Sequence, residues 1–110
     1  MIRAIVYTGT SNENELNPAL TLAASNFPNP FNPTTTISYS VPTSGPTTVK
    51  VYNLKGQEIT TLVNKEMTSG NHSVVWNGTD SKGSSVSSGI YFLRVQNSGK
   101  AVTSKMLLSK

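Results

Sequence analysis

The chain has 110 residues, with nine Lys and Arg against five Asp and Glu, and a formal net charge of +4. This length suits one domain with a single core, and the basic residues are spread out and form no run, which argues against nucleic-acid binding. Because cysteine is absent, disulfides and thiolate metal sites are excluded.

The N-terminal residues 1–24 are predicted to form a tail or linker. Residues 1–17 contain one arginine, and their longest apolar run is the four residues AIVY, too short for the apolar region of a secretory signal peptide. No apolar run approaches the roughly 20 residues of a membrane-spanning helix, so we expect either a soluble chain or a fragment of a larger protein, and we favour the fragment. The tail is predicted to hold a weak strand at residues 19–24, and its alternating segment IRAIVYT is suited to pairing with a neighbour's sheet edge.

Residues 25–110 carry the pattern of an all-β domain. Short runs of β-branched and aromatic residues are separated by Gly, Pro, Asn and Ser at intervals of about ten, as in a sandwich or barrel. Ile37, Tyr39 and Val41 alternate with serines, which places three apolar side chains on one face of a strand. Further strands are predicted at residues 47–54, 57–63, 71–76, 90–95 and 101–109. With the weak strand in the tail, the total is seven, and no segment predicts a helix.

The third strand of the main domain breaks the alternation. Ile59 and Leu62 fall on opposite faces, which predicts a β-bulge there.

The only tryptophan, Trp76, is expected to anchor the core, with His72 and Val74 on the same side of their strand. The other side chains predicted to face inward are Val49, Val51, Tyr91, Leu93, Val95, Val102, Met106 and Leu108.

The stretch NFPNPFNP, residues 26–33, predicts a rigid corner before the strand of Ile37. Each proline fixes its own φ and pushes the preceding residue towards extended geometry, so the chain has little conformational freedom to lose on folding. We expect Phe27 and Phe31 to cap the open end of the sandwich as an apolar lid.

Residues for catalysis or metal binding are sparse. His72 is a lone histidine on a strand, where packing is the ordinary role, and Asp80 is interpreted as a turn former because NGTDSKG lacks the repeated acidic oxygens of a calcium loop. The glutamates have no paired spacing typical of glycoside hydrolysis. We therefore predict a protein that is not an enzyme and uses no cofactor or metal.

Four blocks together resemble a known family. They are NFPNPFNPTTTISYSVP, VKVYNLKGQEITTLVN, GNHSVVWNGTDSKGSSVSSGIYFLRV and the terminal KMLLSK. Their order and spacing are similar to the C-terminal sorting domain (type A) of proteins exported by the type IX secretion system of Bacteroidetes-like bacteria, and also to the immunoglobulin-like domain of the flagellar hook-capping protein. The predicted fold is accordingly a two-sheet antiparallel immunoglobulin-like or fibronectin-III-like β-sandwich of about seven strands.

The resemblance implies a division of labour. A cargo domain lies N-terminal, and the sorting domain passes through the periplasm, is recognised by the outer-membrane translocon, and is cut by a sortase-like peptidase, leaving the cargo extracellular or on the cell surface. The positions that match the family's recognition elements are Gly89, Tyr91, Lys105, Met106, Leu107, Leu108 and Lys110.

These positions also have purely structural interpretations. Tyr91 is suited to a tyrosine corner, in which its hydroxyl binds nearby backbone, and Gly89 to relieving backbone strain before its strand. Lys105 and Lys110 are as well explained by solvated lysines that discourage strand pairing as by receptor contacts, although the basic C-terminal quarter favours an acidic partner.

Two other functions remain open. One is a self-assembling filament or surface-layer subunit that forms homo-oligomers by strand addition through the N-terminal segment. The other is a carbohydrate-binding module, which requires exposed aromatic side chains in a row.

Overall fold

Seven β-strands run through residues 21–110, which are the residues that the computed structural model describes. Their bounds are β1 (Ala23–Phe27), β2 (Thr35–Val41), β3 (Gly45–Asn53), β4 (Glu58–Met67), β5 (Gly70–Trp76), β6 (Gly89–Asn97) and β7 (Lys100–Leu108). No helix that could cross a membrane occurs in this range. The segment IRAIVYT, predicted to pair as a strand, lies outside the described residues.

The strands form two antiparallel sheets. Sheet A has the order β1-β2-β5 and sheet B the order β4-β3-β6-β7. The prediction of an all-β, two-sheet immunoglobulin-like sandwich of about seven strands is therefore confirmed.

The first strand lies about three residues later than expected. It was predicted at residues 19–24, but β1 covers Ala23–Phe27 and pairs with β2 from Ser40 to Thr36. Ala, Ser and Asn have little intrinsic strand preference, so the pairing partner decides where this strand begins. β1 also crosses the expected boundary between a tail ending at residue 24 and the domain.

The core lies between the sheets and follows the predicted alternation. The buried apolar side chains are Phe31, Ile37, Tyr39, Val41, Val49, Val51, Trp76, Tyr91, Leu93, Val95, Met106 and Leu108. Trp76 is at the centre: its ring lies 5.5 Å from that of Phe31 and 5.4 Å from that of Tyr91, and its Nε1 donates to Thr79 O at 2.9 Å. Tilted and edge-on aromatic pairs of this kind stabilise beyond their buried area.

Two irregularities interrupt the pairing of β4 with β3. The register shifts between Val49 and Lys50 and again between Val51 and Tyr52, which leaves Leu62 and Ile59 without an opposite residue. These are the two side chains that break the sequence alternation, so the predicted bulge is confirmed, with one bulge at each residue.

The predicted apolar lid of the proline corner is correct for only one of its two phenylalanines. Phe31 is buried against Trp76, but Phe27 is 82% exposed, so its predicted place in the lid is wrong. β1 continues as far as Phe27, and alternation along this strand turns Ala24 and Asn26 inward and Phe27 outward.

Candidate functional site: the C-terminal strand and the proline corner

The residues singled out by the sequence lie on the β6–β7 hairpin. Ser98 and Gly99 form its two-residue loop, with φ of 49° and 87°, as a type I′ turn requires. This loop fixes the register, in which Gly89 lies opposite Leu108, Tyr91 opposite Met106, and Phe92 opposite Lys105. The predicted recognition residues are thus brought to the end of the hairpin remote from the turn, with the exception of Lys110, which follows β7.

Tyr91 and Gly89 have evident structural roles. The Tyr91 hydroxyl donates to Ser87 O at 2.6 Å, so the predicted bond between the hydroxyl and nearby backbone is confirmed. Gly89 has a φ of 152°, a value that side-chain-bearing residues rarely adopt, although the space around it is open. A recognition role for either residue stays a prediction.

The terminal apolar residues divide between two faces. Met106 and Leu108 are fully buried in the core, whereas Leu107 is 41% exposed on the outside of sheet B. Alternation along β7 dictates this division. Of these three side chains, that of Leu107 is therefore the one accessible from outside the folded domain.

The two terminal lysines differ in their surroundings. Lys105 is exposed on the outer face of sheet B, next to Phe92 of the neighbouring strand. Lys110 lies back on the molecule: its backbone N donates to Ser88 Oγ at 3.1 Å, and its Nζ donates to Val86 O. Of the two, Lys105 is the lysine whose ammonium group has no protein hydrogen bond within residues 21–110.

The free edge of β7 is occupied by the proline corner, through two residues that we call the edge clamp, Asn29 and Phe31. Asn29 Oδ1 accepts from Leu107 N at 3.0 Å, while Asn29 Nδ2 donates to Lys105 O at 3.3 Å. Phe31 N donates to Leu107 O at 3.0 Å, and Ser109 N donates to Phe31 O at 2.9 Å. The clamp therefore satisfies four backbone groups that an edge strand otherwise leaves unpaired.

The clamp was missed in the sequence, although a signal for it exists. The carboxamide of Asn29 places an N–H donor beside a carbonyl acceptor, as a peptide group does, and it lies between two prolines that offer no N–H. An asparagine held in so rigid a segment is suited to pairing with an unpaired strand edge. Which edge it meets depends on the fold.

The remaining polar candidates are structural. Asp80 Oδ1 accepts from Lys82 N at 2.9 Å and from Ser84 N at 3.0 Å, which confirms its prediction as a turn former. His72 Nε2 lies 2.7 Å from Thr68 O, and its ring lies 5.6 Å from that of Tyr39. Within residues 21–110 no group of three or more His, Asp or Glu side chains is placed to hold a metal ion.

Comparison with known proteins assigns the domain. The model of the FlgD Ig-like domain family matches residues 31–101. The chain belongs to this family. The matched range of this FlgD Ig-like domain ends before Lys105, so Lys105–Lys110 and Asn29 lie outside it.

Solved structures share the fold of this FlgD Ig-like domain. FlgD from P. aeruginosa is 29% identical, with a TM-score of 0.55, over 67% of this chain and 59% of FlgD. PorZ from Porphyromonas gingivalis is 22% identical, with a TM-score of 0.53, over 79% of this chain and 11% of PorZ. Dimeric latent PorU from the same organism is 18% identical, with a TM-score of 0.60, over 77% of this chain and 9% of PorU.

The chain therefore spans less than two thirds of FlgD and only a small part of PorZ and PorU. The likenesses to PorZ and PorU show the fold alone. No curated protein matches this chain.

Proposed function

We propose that this FlgD Ig-like domain is a C-terminal sorting module, which directs an attached cargo protein across the outer membrane through the type IX secretion system. The observation that carries the proposal is the set of four sequence blocks in the order and spacing of the sorting family, ending in KMLLSK. These blocks extend past the matched range of the FlgD Ig-like family on both sides. That extension favours the finer assignment.

The structure supports a module that is recognised in the folded state. The terminal block is held by the edge clamp and by the contacts of Lys110, and it presents Lys105 and Leu107 to solvent. We propose that the outer-membrane translocon and a sortase-like peptidase meet this end of the sandwich. The domain itself then supplies binding and no catalysis, with the periplasm as its place of transit and the cell surface or exterior as the cargo's destination.

A solved structure of similar fold comes from a component of the type IX system. PorZ is described as an essential bacterial surface component of the type-IX secretion system. A domain of this fold thus occurs within that system. The identity to PorZ is too low to carry a role over, so the proposal depends on the sequence blocks.

The test transfers the domain to a reporter protein and follows its export. The 110-residue chain is fused after a signal peptide and a fluorescent reporter, and expressed in a bacterium with a type IX system and in a mutant lacking its translocon. We expect reporter outside the cell in the first strain and in the periplasm of the second. The matched control is a fusion carrying Lys105→Glu and Leu107→Ala, which changes two exposed positions of the terminal block and keeps Met106 and Leu108 in the core, and it should stay periplasmic. Periplasmic retention of the full fusion in the first strain contradicts the proposal.

A second candidate is a self-assembling surface subunit, which one feature favours. Among the strands of residues 21–110, β1 lies at an edge of sheet A, and its sequence AASNF contains no proline and no charged residue. Strand edges without such residues are prone to pair with another chain. Sedimentation of the chain between 10 and 500 µM, roughly the range in which weak pairing is seen, discriminates the two. A concentration-dependent oligomer favours assembly, and a monomer favours sorting.

A further inference from the structure

The solvent side of sheet B, which we call the outer face, carries its side chains in cross-strand rows. The register places Tyr52, Phe92 and Lys105 in one row, and Lys50, Arg94 and Thr103 in the next. Ile90 and Leu107 form a third row on the other side of Phe92. Consecutive rows are two residues apart along each strand, about 7 Å.

Two depressions occupy this face. One, of about 300 Å³, is lined by Tyr52, Leu54, Phe92, Arg94 and Thr103. The other, of about 130 Å³, is lined by Asn29, Ile90, Lys105 and Leu107, together with Met106. Leu54 and Leu107 are among the few large apolar side chains in the described range that are exposed, at 68% and 41%. The other two in that range, Phe27 and Val75, lie in one row of sheet A with Thr36 between them. Each depression of sheet B thus has one exposed leucine, with the cross-strand pair of Phe92 and Lys105 between the two.

The charges around the depressions are mostly positive. Lys50, Arg94 and Lys105 project from the outer face near them, and Glu58 is the nearby carboxylate. Lys50 Nζ forms an ion pair with Glu58 Oε1 at 3.3 Å, the single salt bridge within residues 21–110. Arg94 and Lys105 consequently have no acidic partner in that range.

The opposite face of the sandwich provides a contrast. Its rows include Ser25, Ser38 and Ser73, and Ala23, Ser40 and Asn71, with no charged side chain among the strand residues of sheet A. Positive charge next to apolar surface is thus a property of one face, and it selects for a partner with carboxylates.

We propose that the outer face of sheet B is a docking surface for an extended acidic segment of a partner protein, with apolar side chains in the two depressions and a carboxylate at Arg94 and Lys105. Alternate residues of an extended peptide point the same way at a spacing of about 7 Å, which matches the rows. Arg94 suits a carboxylate because its planar group donates two parallel hydrogen bonds. This inference rests on the proposed function and deepens it by giving the chemistry of the partner.

The experiment uses the full chain and a phage-displayed library of random 12-residue peptides. We expect selected peptides to carry Asp or Glu with apolar residues at alternate positions. The best synthetic peptide should bind the Arg94→Glu/Lys105→Glu variant at least tenfold more weakly, because two attractive contacts become repulsive. The control variant, Lys82→Glu/Lys100→Glu, changes the net charge equally at positions away from this face and should bind as the unmodified chain does.

Three outcomes of the peptide experiment overturn the proposal. They are an absence of enriched peptides, enrichment of peptides without carboxylates, and equal binding by the charge-reversed variant when its circular dichroism spectrum is unchanged. Another outcome is that the chain self-associates in a way that the Arg94→Glu/Lys105→Glu variant abolishes. That result assigns the outer face to a second copy of the chain and likewise overturns the proposal. Export of the reporter fusion without peptide binding rejects the docking surface alone, and peptide binding without export rejects the sorting function alone.

Discussion

At the scale of single residues, side chains in this domain take over roles of the backbone. The carboxamide of Asn29 pairs with β7 as a neighbouring strand would, through Lys105 O and Leu107 N. The hydroxyl of Tyr91 satisfies Ser87 O at the start of β6. Each bond contributes little by itself, but each fixes a segment that has no regular partner.

Replacing Asn29 should loosen the end of β7. Asn29→Ala removes two hydrogen bonds at a partly solvated site, and we expect a loss of about 1–2 kcal/mol in the free energy of unfolding. Hydrogen exchange at the amide of Leu107 should become faster. Asn32→Ala is the control, since Asn32 is exposed and its side chain makes no hydrogen bond within the described residues. Equal exchange at Leu107 in both variants speaks against the clamp.

Removing the hydroxyl of Tyr91 separates its two proposed roles. Tyr91→Phe keeps the ring against Trp76 and removes one hydrogen bond, so the free energy of unfolding in urea should fall by about 1 kcal/mol. Tyr52→Phe, on the outer face, should change it little. If the reporter fusion with Tyr91→Phe is stable but not exported, the hydroxyl acts in recognition as well.

Glu58 provides a prediction for pH dependence. Hydrogen bonds from Thr61 and then from Lys50 lower the pKa of Glu58 below its ordinary value of 4.5. Because the folded pKa lies below the unfolded one, the stabilising contribution of this carboxylate is present above pH 4.5 and is lost as the pH falls through the lowered pKa. Stability should therefore decline in this acidic range.

Thr61→Val tests the main cause of this shift. The variant keeps the β-branched shape but removes the donor, so the pKa of Glu58, measured by carbon-13 NMR titration, should rise towards 4.5 without reaching it while Lys50 remains. Thr103→Val, elsewhere on the same face, should leave it unchanged. An unchanged Glu58 pKa in Thr61→Val would refute the assignment of the hydrogen bond as the main cause.

At the scale of the element, β7 combines two tasks by alternation. One side of the strand fills the core through Met106 and Leu108, and the other presents Lys105 and Leu107. The terminal block KMLLSK therefore contains residues of two kinds, and only the side chains on the outside are accessible in the folded domain. The strand edge is covered by the clamp in its second half.

Neighbouring leucines on β7 should respond very differently to truncation. Leu108→Ala removes a fully buried side chain and should reduce the free energy of unfolding by about 2–5 kcal/mol. Leu107→Ala, its matched control, should change stability by less than about 1 kcal/mol, because much of that side chain is already in water. Urea denaturation of both variants measures this difference. Similar losses would mean that β7 does not alternate as described.

At the scale of the whole molecule, the sandwich is closed by contacts between segments that are far apart in sequence. β1 pairs with β2, and the corner that follows it joins the last strand of the other sheet. The beginning and the end of the folded region are thereby fastened to each other. A force applied at the terminal strand acts directly on the corner that follows β1.

The position of β1 predicts where the domain can be trimmed. A chain of residues 21–110, which keeps the seven strands of the described range, serves as the reference. A chain of residues 25–110 loses Leu22 and Ala24, which pack against the core, and should be less stable by roughly 1–3 kcal/mol. Thermal unfolding of the two chains measures the difference. Equal stability would place the domain boundary at residue 24 after all.

Local sequence patterns determined the strands after β1 and their inward sides. Alternation at Ile37, Tyr39 and Val41, the β-bulges at Ile59 and Leu62, and the turn role of Asp80 follow from neighbours within a few residues. The tyrosine corner belongs here too, since Tyr91 binds a group four residues away. Such features need no knowledge of the partner strand.

Only the tertiary structure decided which of the two phenylalanines of the corner is buried and what the asparagine between them binds. Asn29 meets Lys105 and Leu107 across 76 and 78 residues of sequence, and the rows of the outer face exist only because sheet B has the order β4-β3-β6-β7. Alternation says which residues share a face of one strand. It does not say which strands are neighbours, because that is set by packing of the whole chain.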